Sequence, residues 1–315
     1  MIVSVLGAGV AGLCAATALA EAGHEVELID PDAQAPRGAS VLAGGMLAPF
    51  CEGDTAPPAV VQAGRAACAW WAARVPGVVR AGTLVVAPPR DRPELERFAA
   101  ATAGHRRADP GMIEPDLAGR FATGLHFADE GHLDPVAALN ALAGRLGDFG
   151  VAMRLGGDAA PRGLVVDCRG IAARDMLPEL RAVRGEMLIV ETPDITLSRP
   201  VRLLHPRFPC YIVPRADGRF MIGATMVESD DPGPVTARAV MELLSAAYAL
   251  HPAFAEARVI SAAAGLRPAL PDNIPAILRR HGRIFVTGMY RHGYLMAPAL
   301  AQTLAGQLSE TRHAS

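Results

Sequence analysis

The stretch "IVSVLGAGVAGLCAATALAEAGHEVELID", Ile2 to Asp30, decides the fold. It opens as a short apolar strand, turns through Gly7, Gly9 and Gly12, continues as an Ala/Leu-rich helix to about Gly23, and enters a second strand ending at Asp30. Each glycine has its own task in such a turn. Gly7 permits the tight bend, Gly9 lets a pyrophosphate approach the backbone, and Gly12 lets the helix pack closely on the strand. The amides of the helix start, Val10 and Ala11 among them, then receive phosphate oxygens. Asp30 is placed to accept hydrogen bonds from a ribose diol. G-x-G-x-x-G alone is a weak signal, but here a strand precedes it, a helix follows it, and the acid arrives at roughly a 20-residue offset. The motif leaves FAD and NAD both open, and the acid argues only against a 2′-phosphate.

The segment after it narrows the choice. "PDAQAPRGASVLAGGMLAPF", Pro31 to Phe50, is rich in Gly, Ala and Pro and has little regular period. A nicotinamide domain usually goes straight into another helix and strand. A long run of small residues suits backbone contact with an extended, flat cofactor, because side chains there would occupy the ligand's space. Pro31, Ala39, Ser40, Gly44, Gly45 and Met46 are therefore candidate contacts, and "GGMLAPF" is too apolar for a solvated loop.

Composition excludes other classes. The 315 residues allow one large domain or two moderate ones. Thirty basic residues against 32 acidic ones give a formal charge of −2, with no basic run to track a phosphate backbone, so nucleic acid is not expected as a partner. All 30 basic residues are arginine. Without lysine there is no Schiff-base catalysis, no pyridoxal-phosphate anchor and no Walker-type loop. The 5 cysteines are scattered and show no Cys-x-x-Cys pair, so no metal site is expected and a reduced compartment fits. The chain enters a strand directly at "MIVSVLG", without the pattern of a signal peptide, and "VAGLCAATALAEAG" is too short to span a bilayer. A cytoplasmic protein without a membrane span is expected.

Farther along, "GTLVVAP" is a strand, "PELERFAAATAG" a helix, and "GHLDPVAALNALAGRLGDFG" a helix capped by Asp134 with Pro135 in its first turn. "GLVVDCRG" reads as a fully buried parallel strand inside a doubly wound sheet, and its Gly170 is a candidate cofactor contact. "RAVRGEMLIVET" leaves that sheet, "CYIVPRADGRFMIGATM" is a hairpin turning on "ADG", and "VTARAVMELLSAAYALHP" is helical. The chain returns through "ARVISAAAGLRPALPD" to the strand "RIFVTG" and a last helix from about Gly293 to Ser309. At that junction, "GMYRHGYL", Gly288 to Leu295, places Met289, Tyr290, Arg291, His292 and Tyr294 where a strand gives way to a helix. Arg267, in "AGLRP", follows a nearly polar-free strand and is expected at a strand exit. A planar guanidinium there can bind a carboxylate with two parallel hydrogen bonds, which lysine cannot do.

Together, "GAGVAG", "GASVLAGGMLAPF", "VVDCRGIAARD", "RGEMLIVE", "CYIVPRADGRFMIGATM", "GLRPALPDNIPAI" and "GMYRHGYLMAPALA" resemble the D-amino-acid-oxidase-like family of FAD enzymes, most closely its glycine oxidases of thiamine biosynthesis. The resemblance runs in order from residue 1 to about residue 305. It implies a discontinuous, Rossmann-like FAD-binding α/β domain over 1–75, 132–182 and 264–315. Inserted in it is an α+β substrate domain of mixed antiparallel sheet over 76–131 and 183–263. It implies FAD held noncovalently, with the amides of Gly288 to Leu295 facing the flavin. Arg267 would hold a substrate carboxylate, Tyr211 would be its second donor, and Arg291 would touch substrate or flavin, with Met46 and Tyr290 as apolar walls.

The implied reaction oxidises glycine or another small amino acid to the imine, then glyoxylate and ammonia, and reduces oxygen to peroxide. Thiazole synthase is the implied partner, and a homo-oligomer is expected. Where the family often has a histidine two positions before the matched tyrosine, this chain has Pro209, and the link "DAAPR" at 158–162 is unusually short, which leaves adenine-side contacts unplaced. Related sarcosine oxidases use a lysine that this chain lacks. The competing readings are a D-amino-acid oxidase, a dehydrogenase passing electrons to a quinone or partner subunit, a nicotinamide-dependent dehydrogenase, and a non-catalytic dinucleotide sensor.

Overall fold

The glycine turn forms as the sequence implies. Strand β1 (Ile2–Leu6) ends at Gly7, helix α1 (Val10–Glu21) follows, and β2 (Glu25–Asp30) returns parallel to β1 with Val3 opposite Val26. The computed structural model describes every residue except 158, 207, 208, 314 and 315. After β2 come β3 (Met46–Leu47), α2 (Pro58–Gly64), α3 (Ala67–Ala72), β4 (Thr83–Val86), α4 (Arg92–Ala101), β5 (Arg106–Ala108) and α5 (Pro110–Ile113). Next are β6 (Gly124–Phe127), β7 (Gly131–His132), α6 (Pro135–Asp148), β8 (Ala152–Leu155) and β9 (Leu164–Asp167). Strands β10 (Arg181–Glu191), β11 (Val201–Leu203), β12 (Cys210–Pro214), β13 (Arg219–Gly223) and β14 (Val227–Glu228) precede α7 (Ala237–Leu250). The chain closes with β15 (Arg258–Ala269), β16 (Ala276–Arg280), β17 (Arg283–Thr287) and α8 (Gly293–His313).

Among the described residues these strands make two main sheets. A six-stranded sheet runs β16-β17-β9-β1-β2-β8, parallel except at β16, and a nine-stranded sheet runs β14-β10-β13-β12-β11-β4-β6-β5 with β15 along β10. The second is mainly antiparallel, with β4 and β11 parallel, so the molecule is α/β with a Rossmann-like sheet and a mixed one. The edge strands β8 and β16 are additions to what the sequence reading contains.

Helix α1 has no polar face because it is covered all round: Val10 to Leu19 are buried, and it packs on α6, α8 and β2. Its Ala and Gly content lets these neighbours come close. Helix α6 starts as read, Asp134 accepting the Ala137 amide at 2.9 Å, and α7 uses Thr236 in the same way. The short link after β8 closes on the sheet through Arg162, whose Nε and Nη2 reach Glu27 Oε2 at 3.0 and 2.9 Å. Burial pushes the Glu27 carboxyl up, but the Ser4 hydroxyl and Arg162 outweigh it and hold the carboxyl below its usual range. Asp158 of that link lies outside the described residues.

One expectation needs correction. Arg267 is not at a strand exit, because β15 continues through it to Ala269, with Arg267 in register opposite Val183 of β10.

Candidate active site

A cavity of about 630 Å³ lies between the carboxyl ends of the six-stranded sheet and one face of the nine-stranded sheet. Ligands of open α/β sheets bind at such ends. Gly7, Gly9, Val10, Ala11, Asp30, Pro31 and Gly170 line one part of it, Ala39, Ser40, Gly44, Gly45 and Met46 another, and Met289 to Leu295 a third, together with Arg267 and Tyr211. Gly12 and Gly288 are not on its wall. A Cβ on Gly12 would come within 1.7 Å of the Gly7 carbonyl oxygen, and Gly288 has φ +74° with Leu270 atoms 2.8 Å from its Cβ position, so both shape the turns behind the wall.

The dinucleotide end has unspent backbone donors. The Ala8 amide donates to Asp30 at 2.7 Å and the Val10 amide to the Ser40 hydroxyl at 3.0 Å, while the Gly9 and Ala11 amides find no acceptor among the described residues. Asp30 also accepts the Asp32 amide at 2.9 Å, so each carboxylate oxygen has one backbone partner and keeps acceptor capacity toward the cavity. The start of α8 repeats the arrangement. The Tyr290 amide goes to the Pro268 carbonyl and the His292 amide to the Met289 carbonyl, but those of Arg291, Gly293 and Tyr294 have no acceptor among the described residues. Two helix starts with free amides, joined by a wall of small residues, fit an extended cofactor with a pyrophosphate and an electron-accepting ring.

Four charged side chains and a phenol surround the remaining space. The Arg267 guanidinium lies over Gly185, whose Cβ would stand 2.1 to 2.5 Å from its atoms, and it donates to the Thr225 carbonyl at 3.0 Å. No carboxylate among the described residues pairs with it. Tyr211 rests against Gly44 and Gly223, and no described residue hydrogen-bonds its hydroxyl. Burial pushes the Tyr211 phenol up, while Arg267, Arg291 and Arg202 pull it down and Glu52 opposes them.

Arg291 pairs with Glu52 at 2.8 Å and also bonds the Thr55 hydroxyl. His292 Nδ1 stands 3.4 Å from the same Glu52 oxygen, and burial pushes this imidazole down to about 4, so it is neutral near pH 7. Tyr294 and Leu295 line the cavity but also build the scaffold. The Tyr294 hydroxyl donates to the Ser40 carbonyl at 3.0 Å, and Leu295 fills the space left by Gly64.

The sequence reading missed Glu52, Arg202 and Gly185. Glu52 follows the apolar run by two residues, and an acid at that boundary was the available signal. Arg202 and Gly185 lie on strands β11 and β10, where only the pairing register shows which face they take. No group of His, Cys, Asp and Glu able to hold a metal occurs among the described residues, and all five cysteines are free. No helix there is long and apolar enough to cross a membrane.

The chain is 53% identical over 315 residues to a protein of Rhizobium etli named as a thiamine biosynthesis oxidoreductase, ThiO, covering 98% of this chain and 96% of the other. It is 31% identical over 286 residues to a D-amino-acid oxidase of Streptomyces coelicolor, covering 85% and 83%. The crystal structure of glycine oxidase from Geobacillus kaustophilus shares the fold, with a TM-score of 0.81 at 24% identity over 98% of this chain and 94% of that one. The model of the DAO family, the FAD dependent oxidoreductases, matches residues 3–307, and the chain belongs to that family, with FAD as its cofactor.

Proposed function

We propose that the chain oxidises the Cα–N bond of a small amino acid, glycine or an N-substituted glycine, and that oxygen then takes the electrons to form hydrogen peroxide. The carrying observation is Arg267, a guanidinium at the substrate end of the cavity with no carboxylate partner among the described residues. A substrate carboxylate completes it, and two parallel hydrogen bonds fix both position and orientation. Tyr211 donates a further hydrogen bond to the same group.

FAD, when bound, supplies the hydride acceptor. The chain's part is to hold the substrate so that Cα faces that acceptor, which is mainly a problem of positioning. A neutral amine needs no strong base at Cα, because its lone pair forms the C=N bond as the hydride leaves. His292, neutral near pH 7, adds no charge there. With FAD bound, the free amides of Arg291, Gly293 and Tyr294 would stabilise the negative charge that its ring gains, and the α8 dipole would favour it. Met46 and Tyr290 restrict the space beyond Cα. Water hydrolyses the released imine to glyoxylate and ammonia when glycine is the substrate. The R. etli relative's name supports a further part of the proposal, delivery of the imine to thiazole formation.

The test is a peroxide assay on the yellow holoenzyme with glycine, sarcosine, D-alanine and D-phenylalanine. Turnover of the small substrates supports the reading. Preference for D-phenylalanine would move the chain to a general D-amino-acid oxidase, the activity named for the S. coelicolor relative, and flavin reduction without peroxide would make it a dehydrogenase.

A further inference from the structure

We infer that the preferred substrate carries a second carboxylate, held by Arg202, so that the site takes amino dicarboxylates over their monocarboxylate counterparts. This rests on the amino-acid oxidation proposed above and names its substrate class.

The pairing register sets the geometry. Met187 of β10 faces Gly223 of β13, Gly223 faces Tyr211 of β12, and Tyr211 faces Arg202 of β11, so these four residues form one row on one face of the sheet. The two ends of the row carry cations. Arg202 is at one end, and the Arg267 guanidinium, bonded to the Thr225 carbonyl just past β13, is near the other. The Arg267 guanidinium lies over Gly185 of β10, so the two arginines reach the same cavity from opposite ends of the row, with β12 and β13 between them. A dicarboxylate, with a hydrogen bond of ~2.9 Å at each end, is the ligand that two guanidinium groups lining one cavity ask for. Tyr211 stands between them.

Charge points the same way. Around Tyr211, Arg202, Arg267 and Arg291 border the cavity with the carboxylate Glu52, and Glu52 is spent on Arg291, while Asp30, Arg37 and Arg169 line it at the dinucleotide end. Arg202 gives one N–H to the Cys51 carbonyl at 3.2 Å and lies 4.9 Å above the Phe98 ring, but no carboxylate among the described residues pairs with it. A partly desolvated guanidinium without a counter-charge is costly. A zwitterionic monocarboxylate satisfies Arg267 and leaves Arg202 unmatched. A second carboxylate, on the nitrogen or on Cα, satisfies both. The FAD pyrophosphate would not serve this purpose, because the free amides of Gly9 and Ala11 in the β1–α1 turn would hold it. The bond chemistry is unchanged: a hydride leaves Cα for FAD, the nitrogen lone pair closes the C=N bond, the amine proton goes to water, and water hydrolyses the imine.

Two substrate pairs on the holoenzyme locate the second acid. Iminodiacetate against sarcosine tests it on nitrogen, and D-aspartate against D-alanine tests it on Cα. In at least one pair kcat/KM should favour the dicarboxylate tenfold or more. Arg202→Met should reduce that ratio at least tenfold, and Arg202→Lys should restore part of it. Binding gives a second readout independent of turnover, since malonate should perturb the oxidised flavin spectrum at lower concentration than acetate, and Arg202→Met should remove the difference. Ratios near one in both pairs, or a variant that scales all four substrates alike, would overturn the inference. Sarcosine turnover without any dicarboxylate preference defeats this inference alone, whereas Arg202-dependent malonate binding without turnover of any amino acid defeats the oxidase reading and leaves the second-carboxylate site standing.

Discussion

The turn from β1 into α1 and the turn from β17 into α8 lie at the carboxyl ends of one sheet, on either side of β9, and are built from opposite materials. The first is Gly-Ala-Gly-Val-Ala-Gly, Gly7 to Gly12. The second, Gly288 to Gly293, puts Met, Tyr, Arg and His between its glycines. Both leave helix amides free, yet only the second adds side chains that face the substrate space. Where the backbone is proposed to bind the ligand, side chains would intrude and are absent. Where chemistry is proposed, they are needed, and the chain bears some strain to present them: Tyr290 has φ +46°, held by the hydrogen bond its amide donates to the Pro268 carbonyl. If this division is right, damage to the first turn removes the cofactor, and damage around the second removes activity with the cofactor in place.

The largest effect should come from Gly12→Val. Its Cβ would stand 1.7 Å from a backbone oxygen, which no side-chain rotation relieves. We expect protein that retains no FAD, read as flavin absorbance per chain after desalting. Full flavin content in this variant would break the comparison at its root.

Next in size is Arg267→Ala. Leaving a charged group buried without its partner costs about 3–5 kcal/mol, or roughly two to three and a half decades of kcat/KM, with FAD content kept. Gly185→Ala should lose part of the same activity without touching substrate, because its Cβ would displace the guanidinium. Normal substrate kinetics in both variants would separate Arg267 from the carboxylate.

These positions show what a sequence can reveal. The β1–α1 turn was legible because its shape is set by the backbone, and a backbone that must bend and pack closely demands glycine at fixed spacing. The hairpin, the Asp134 cap and the last helix were legible for the same local reason. Arg267 was picked out as a candidate and does line the cavity, but it was misplaced in its strand, since the end of β15 is set by pairing with β10, 84 positions away in sequence at Val183. Glu52, Arg202 and Gly185 were missed because their roles depend on neighbours that only strand register and loop packing supply. Gly185 is informative only once the guanidinium above it is known.

Behind the second turn sits Glu130, fully buried, its Oε1 accepting the Cys51 amide at 2.8 Å and so steadying the segment that carries Glu52. Burial pushes its carboxyl up to about 7, against the Cys51 and Thr83 contacts that lower it. A carboxyl raised from 4.5 binds its proton better in the folded state, so it stabilises below pH 4.5 and that contribution is lost as pH rises through about 7. His132 and His292, both lowered to about 4, act oppositely and lose stability as pH falls from 6.5. Glu130→Gln should therefore gain on wild type between pH 5 and pH 8 by up to ~3 kcal/mol. Urea unfolding at the two pH values measures this, and a difference that stays constant would show that Glu130 does not titrate in that window.

The smallest effect tests the first turn at its contact with the Ser40 side chain. Ser40 accepts the Val10 amide at 3.0 Å, and its hydroxyl lies 3.1 Å from where a Gly9 Cβ would be, so it steadies the amide without replacing the backbone as ligand. Removing one neutral hydrogen bond costs about 1 kcal/mol, or roughly fivefold in affinity. Ser40→Ala should weaken FAD binding by about that factor, a loss far below that of Gly12→Val because the turn itself survives. It should fall on FAD retention and not on substrate KM measured with FAD in excess, the reverse of Arg267→Ala. A Ser40→Ala enzyme that keeps its FAD affinity but loses substrate affinity would place the first turn within reach of the substrate, and the separation of backbone ligand from side-chain chemistry would no longer describe this site.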